Sequence, residues 1–183
     1  MEKLVETALS IGATRAKIID VDTIPFNAEL RTYCEQNSCG AYGKNYMCPP
    51  ACGEINELIE KAKSFKNGLL FSTVYEIEDK YDFEGMSAAS KKFEKQGRQI
   101  KKECEKILDG IPSLMLGAGG CSICKTCGIK TDEPCRFPED AFPSVEAHGI
   151  YCFQLLQIHG MPYNNGEATV TYIGLLLYEK NEV

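Results

Sequence analysis

The sequence predicts an α/β fold, or an α+β fold if one strand runs antiparallel, from three observations. Segments with helical and strand-like periodicity alternate along the chain. A chain of 183 residues, 44% of them hydrophobic, can bury a core without disulfides. No linker or low-complexity stretch interrupts the alternation. We therefore expect a single layered domain over residues 1–183, with about four strands, four helices and two cysteine-rich metal loops.

The first half of the chain predicts two helices and two strands. An apolar stripe predicts a helix over residues 2–11, which Gly12 would end. A short buried strand follows over 16–21, and a cysteine-rich loop covers 33–53. Helical spacing over 54–65 predicts a second helix, and β-branched and aromatic residues over 68–77 predict a second strand.

The second half repeats this alternation around a second cysteine-rich loop. A long helix is expected from about 87 to 108, with lysines and glutamates, Glu94 among them, on a solvated face supported by i,i+4 pairs. A strand over 112–118 leads into the second loop, and a helix over about 144–159 and a strand over 168–179 follow it. Because each loop follows a strand and precedes a helix, the two loops could lie at one edge of the sheet.

Charge and hydropathy exclude several classes of function. The formal charge of −6 argues against a nucleic-acid or anionic-membrane partner, because such proteins present a basic face. The N-terminus lacks a secretory signal pattern, and the apolar run IGLLLY is far short of the roughly 20 residues that span a bilayer. We expect a cytoplasmic protein, in which ten reduced cysteines indicate metal or redox chemistry.

The second loop carries the stronger metal signal. Its spacing, Cys121-x2-Cys124-x2-Cys127 followed by Cys135, is typical of a loop that offers thiolates to a [4Fe-4S] cluster. A zinc site remains the alternative, with Cys124 and Cys127 as one knuckle and Cys135 as a further ligand. Glycines around these cysteines allow the backbone to approach a cluster closely. Arg136 either offsets cluster charge or is a solvated loop residue.

The first loop supplies four more thiols at wider spacing. Cys34, Cys39, Cys48 and Cys52 favour a second cluster over zinc or free thiols, and Pro49 and Pro50 fix the backbone after the third of them. Tyr33, Tyr42 and Tyr46 either shield such a cluster from water or simply pack in the loop.

The remaining cysteines and both histidines are expected to be structural. Cys104 and Cys152 fall on apolar helix stripes and are predicted to be small buried hydrophobic residues. His148 and His159 lack the order of a hydrolase triad. His148 is predicted to be an ordinary helix-surface histidine, with a hydrogen bond near the cluster as the alternative. No pair of carboxylates shows spacing that singles out acid–base chemistry.

Three sequence blocks resemble the "predicted metal-binding protein" family, which is common in anaerobic microbes. They are Cys34…Cys39…Tyr42-Gly43-Lys44…Cys48-Pro49-Pro50, then Gly120-Cys121-x2-Cys124-x2-Cys127…Cys135-Arg136-x-Pro138, then Glu146-Ala147-x-Gly149. A closing apolar strand extends the similarity over nearly the whole chain. The resemblance implies metal binding but no particular reaction. In the family's pattern the position of Cys52 is not regularly cysteine, so the resemblance implies ligands at Cys34, Cys39 and Cys48 and leaves Cys52 open.

Three functions follow from these patterns. The first is an electron-transfer or redox accessory protein with two [4Fe-4S] clusters and a redox partner protein. The second is an enzyme in which an iron without a Cys52 ligand activates a small substrate. The third is a zinc-stabilised binding module. The sequence names neither the substrate, the partner, the cluster potentials, the oligomeric state nor the strand order.

Overall fold

One four-stranded sheet and five α-helices make up residues 1–179, which are the residues that the computed structural model describes. The helices are α1 (Glu2–Ser10), α2 (Arg31–Glu35), α3 (Ile55–Lys63), α4 (Phe83–Leu108) and α5 (Cys152–Ile158). The strands are β1 (Arg15–Asp20), β2 (Asn67–Glu76), β3 (Ser113–Leu116) and β4 (Thr169–Tyr178). Residues 180–183 of the predicted domain lie outside the described residues.

The sheet has the order β1-β2-β4-β3, and every neighbouring pair is antiparallel. This pairing makes the fold α+β, the second of the two predicted classes. Strands β1 and β3 form opposite edges of the sheet. Because β1 and β3 also run in opposite directions, the two cysteine loops leave the sheet from opposite ends.

The core lies on both faces of the sheet. Successive side chains of a strand point to opposite faces, so Leu69 and Phe71 of β2 pack with α1 and α4, whereas Leu70 packs with α3 and α5. Strands β2 and β4 are therefore covered on both sides, which explains their nearly continuous apolar sequences. Within residues 1–179, no helix combines the length and the apolar character needed to cross a bilayer.

Two helix boundaries differ from prediction in ways that matter for the loops. Helix α4 begins at Phe83 because the Asp82 carboxylate accepts a hydrogen bond of 2.7 Å from the Gly85 N–H. The expected continuous helix over 144–159 is wrong. Its first part is a short 3₁₀ turn (Glu146–His148), and the chain then passes through Gly149 at φ 69° before α5 begins. A Cβ atom at Gly149 would lie 2.8 Å from Ile59 Cδ1, so this tight turn requires glycine.

Candidate metal centre

The second cysteine loop, which follows β3, gathers its four thiols around one small pocket. We call Cys121, Cys124, Cys127 and Cys135 the second thiol set. All four line a pocket of about 20 Å³, which has room for about one water molecule. The thiols are free of disulfides, as expected. The pocket that the second thiol set lines is thus too small for a separate substrate.

A buried carboxylate from α4 holds this loop in place. The Glu94 carboxylate accepts hydrogen bonds from the Ser122 N–H at 2.9 Å and the Ser122 hydroxyl at 2.7 Å, and lies 3.5 Å from Arg98 Nη1. Only 6% of Glu94 is exposed, so its predicted place on a solvated helix face is wrong. The sequence does carry one indication that Glu94 is buried. It lies three residues before Gly97, so the two share one side of α4, and that side is buried. Other charges of α4 do form surface pairs, as between Lys101 and Glu105 at 3.0 Å.

Groups around the second thiol set shift the pKa of the Cys121 thiol both upward and downward. Burial raises the pKa of the Cys121 thiol, the Ile123 N–H opposes this, and the nearby Glu94, Cys135 and Cys124 raise the pKa further. Arg136 is exposed, as a solvated loop residue would be, and its guanidinium pairs with Glu133 and donates a hydrogen bond of 3.0 Å to the Thr126 carbonyl.

The first cysteine loop, which follows β1 and includes α2, opens onto a cleft of about 750 Å³. We call Cys34, Cys39, Cys48 and Cys52 the first thiol set. The first three line the cleft, whereas Cys52 does not. Tyr33 and Tyr42 also line the cleft, so two of the three loop tyrosines border it and the third, Tyr46, lines the pocket of the second set.

The thiols of the first set interact with one another. Burial raises the pKa of Cys48 to about 11, a hydrogen bond with Asn45 opposes this, and Cys39, Cys52 and Cys34 add to the rise. Burial also raises the pKa of Cys34 and of Cys52. Thiols that hinder one another's ionisation become thiolates readily only when a cation balances their charge, which is the chemistry of a metal site.

Arg31 of α2 places a positive charge beside the first thiol set. Its charge lowers the pKa of both Cys34 and Cys52, against the larger effect of burial. The guanidinium donates one hydrogen bond of 2.9 Å to the Gly53 carbonyl, while its buried Nε has no partner among the described residues. A buried N–H without a partner is costly, and the sulfur of a thiolate or a cluster could accept from it. Sequence reasoning missed this residue.

The two loops pack directly against each other although they start from opposite edges of the sheet. A Cβ atom at Gly120 would lie 3.0 Å from Ala41 Cβ and 3.4 Å from Cys48 Sγ. The Tyr46 hydroxyl also donates a hydrogen bond of 2.7 Å to the Glu133 carbonyl. Gly120 immediately precedes Cys121, so the two thiol sets are neighbours.

The other cysteines and histidines have structural surroundings. Cys104 is fully buried in the core, as predicted. Cys152 packs against the opposite core, as predicted, but its thiol also donates a hydrogen bond of 2.8 Å to Glu146. The prediction of a surface histidine is wrong for His148. Only 1% of it is exposed, because the break at Gly149 turns it inward, where Nδ1 lies 3.2 Å from the Ser144 carbonyl oxygen.

The thiol sets suit a metal group by their chemistry. Within residues 1–179, no three His, Cys, Asp or Glu side chains are grouped so that they could hold a single metal ion. The second set nevertheless offers four thiols to one pocket, and the first combines mutually interacting thiols with a buried N–H donor. Thiolate is the ligand of both iron–sulfur clusters and structural zinc, so the type of donor suits either group, although the thiols as placed do not surround a single ion.

Comparison with known proteins gives the family. No curated protein and no solved structure matches the chain. The family model described as "Predicted metal-binding protein (DUF2284)" matches residues 17–178, a range that includes both thiol sets and every strand except the first two residues of β1. The chain belongs to this family of predicted metal-binding proteins.

Proposed function

We propose that the protein binds two [4Fe-4S] clusters, one at each thiol set, and serves as an electron-transfer or redox accessory protein. The observation that carries this proposal is the four-thiol lining of a single pocket by Cys121, Cys124, Cys127 and Cys135. Their close spacing in sequence is the one by which ferredoxin loops wrap a cluster. Bound clusters of this type would accept and release single electrons.

Three residues next to the thiol sets, Glu94, Arg31 and Gly120, have specific roles in this proposal. The second thiol set holds one cluster, while Glu94 fixes the loop through Ser122. The first thiol set holds the other, and Arg31 offsets its negative charge and offers a buried N–H to its sulfur atoms. The contact of Gly120 with Cys48 supports electron passage between the two sites, because it brings them next to each other.

The partner is proposed to be a redox protein in a cytoplasmic, thiol-reducing environment. A formal charge of −6 favours transient association with a basic protein surface, since complementary charges accelerate encounter. A nucleic acid or an anionic membrane would be repelled by the same charge.

Metal analysis after anaerobic purification tests the proposal. Two cubanes require about eight irons and about eight acid-labile sulfides per chain, and electron paramagnetic resonance of the reduced protein should show the clusters. A fully loaded, colourless protein with zinc and no sulfide would contradict the proposal and establish the zinc-stabilised module instead.

A second candidate function is an enzyme whose first cluster has an iron without a protein ligand. The observation in its favour is that Cys34, Cys39 and Cys48 line the large cleft while Cys52 does not. An iron exposed to this cleft would bind and polarise a small substrate. Any such substrate would enter beside the first thiol set, since the pocket of the second set is too small.

The variants Cys52→Ala and Cys48→Ala distinguish the two candidates. If Cys52 is a ligand, both variants lose about four of the eight irons. If the first cluster has an open iron, only Cys48→Ala loses them, and Cys52→Ala keeps the iron and its spectrum. Cys152→Ala serves as the matched control, because this thiol packs against the core and already donates a hydrogen bond to Glu146.

A further inference from the structure

The cleft beside the first thiol set has walls that suit one class of ligand. Besides its cysteines, the residues that line it include the acidic Glu29 and Glu146 and the aromatic Tyr33, Tyr42 and Tyr151. Its volume of about 750 Å³ lies within the range of small-molecule sites. Acidic groups and aromatic faces together are the elements with which proteins recognise organic cations.

The two charged residues that line the cleft, Glu29 and Glu146, are both acidic. Among residues 1–179, none that lines it is lysine, arginine or histidine. Arg31 and Lys44 lie close to the cleft but do not line it, since Arg31 donates to the Gly53 carbonyl and the Lys44 ammonium lies near Gly40. Carboxylates and metal-bound thiolates in one cleft create a negative potential that attracts cations and repels phosphates and carboxylates.

Glu146 is held in position before any ligand arrives. It lies in the 3₁₀ turn produced by the break at Gly149, and the Cys152 thiol donates a hydrogen bond of 2.8 Å to its Oε1. A group that is already ordered loses little conformational freedom on binding. The tyrosine faces are accessible, because 52% of Tyr151 and 65% of Tyr33 are exposed.

We propose that this cleft binds a small organic cation, an amine or quaternary ammonium with an apolar part, and excludes anions of the same size. The carboxylates of Glu29 and Glu146 would balance the positive charge, and the tyrosine rings would contact the apolar part and the cationic carbons. The position of this ligand next to an iron–sulfur cluster rests on the proposed function, whereas the selectivity for cations rests on the cleft alone.

Calorimetric titration of the anaerobically purified protein tests the proposal with a matched pair of probes. We expect benzyltrimethylammonium to bind, with an affinity that falls as salt is raised from 50 to 500 mM, and benzoate not to bind. The double variant Glu29→Gln and Glu146→Gln should weaken binding of the cation about three- to tenfold, as expected for the loss of one exposed and one half-buried charge interaction. The control variant Glu84→Gln removes one negative charge from an exposed position outside the cleft. It should leave the affinity for the cation unchanged.

Two results would overturn the proposal. One is binding of benzoate as tight as that of benzyltrimethylammonium, and the other is equal loss of affinity in the Glu84 variant and the double variant. Iron and sulfide are counted on the same sample, so a missing cluster is recognised separately. Cation binding without iron would refute the proposed function alone, and full iron content without cation selectivity would refute this inference alone.

Discussion

The two thiol sets have the same number of cysteines but different surroundings. The second set lies in one tightly wound loop whose thiols line a pocket of about 20 Å³. The first set is spread over nineteen positions, from Cys34 in α2 to Cys52, and borders a cleft of about 750 Å³. Closely spaced ligands can wrap a bound group, whereas widely spaced ligands leave one side open. The spacing of the ligands along the chain therefore distinguishes a closed site from an accessible one.

Removing a single thiol of the second set should have the largest effect. Cys124→Ala is expected to lower the iron content from about eight to about four per chain, because the cluster of that set loses a ligand while the first set is untouched. Iron and sulfide analysis measures this change. Cys104→Ala, which removes a thiol buried in the core, should keep all the iron, and iron loss there would show that the two sets do not account for the metal.

Acid should lower the stability of the fold through the buried imidazole of His148. The pKa of this imidazole falls from 6.5 to about 4, mainly because the side chain is buried. The hydrogen bond with the Ser144 carbonyl opposes this fall, and the charges of Lys61 and Arg31 add to it. Between pH 4 and pH 6.5 the unfolded chain therefore binds more protons than the folded chain. The stability contributed by the neutral His148 is fully present above pH 6.5 and is lost as the pH falls towards 4. We expect a loss of about 2 kcal/mol in the free energy of unfolding between pH 7 and pH 5.

Urea titrations of the wild type and of His148→Gln at these two pH values measure this loss. The variant should have a flatter pH dependence than the wild type, whereas His159→Gln should change it less, because that imidazole is more exposed. An unchanged pH dependence in His148→Gln would exclude this explanation.

Loosening the second loop should affect only the closed site. Glu94→Ala leaves the Ser122 N–H and hydroxyl without their acceptor, which should lower the free energy of unfolding by about 1.5 kcal/mol. The variant should also lose iron from the second set faster, with the first set unchanged. Glu103→Ala, which breaks only a surface pair with Lys106, is the control, and an equal effect there would refute the role of Glu94.

The smallest effect is expected where the two loops touch. The added methyl group of Gly120→Ala would lie 3.0 Å from Ala41 Cβ, so the loops must separate by a few tenths of an ångström, at a cost of about 1 kcal/mol. Spin coupling between the two reduced clusters, seen by electron paramagnetic resonance, should weaken in this variant. Unaltered coupling would mean that this contact does not set their separation.

The sequence predicted the elements better than their arrangement. Apolar periodicity located all four strands within about two residues, because each is a local pattern of burial. Strand direction depends on how distant segments pair, so the antiparallel order and the opposite positions of β1 and β3 were not predictable. The break at Gly149 was missed for a similar reason, since it depends on contact with Ile59.

The candidate site shows the same division. The cysteines were found from their type and spacing. Glu94 and Arg31 were missed as parts of the site because their sequence neighbours indicate an ordinary charged helix or loop, and only the folded chain brings Glu94 to Ser122 and Arg31 to Cys34. The cleft was also unpredictable, because its walls come from four separate segments of the chain.

Iron release to a chelator tests the central claim, that one site is open and the other closed. We predict two phases of bathophenanthroline–iron formation, with about four irons released fast from the first site and about four slowly from the second. Cys48→Ala should remove the fast phase and Cys124→Ala the slow one. A single phase for all the iron, or a fast phase that disappears in Cys124→Ala, would contradict the account.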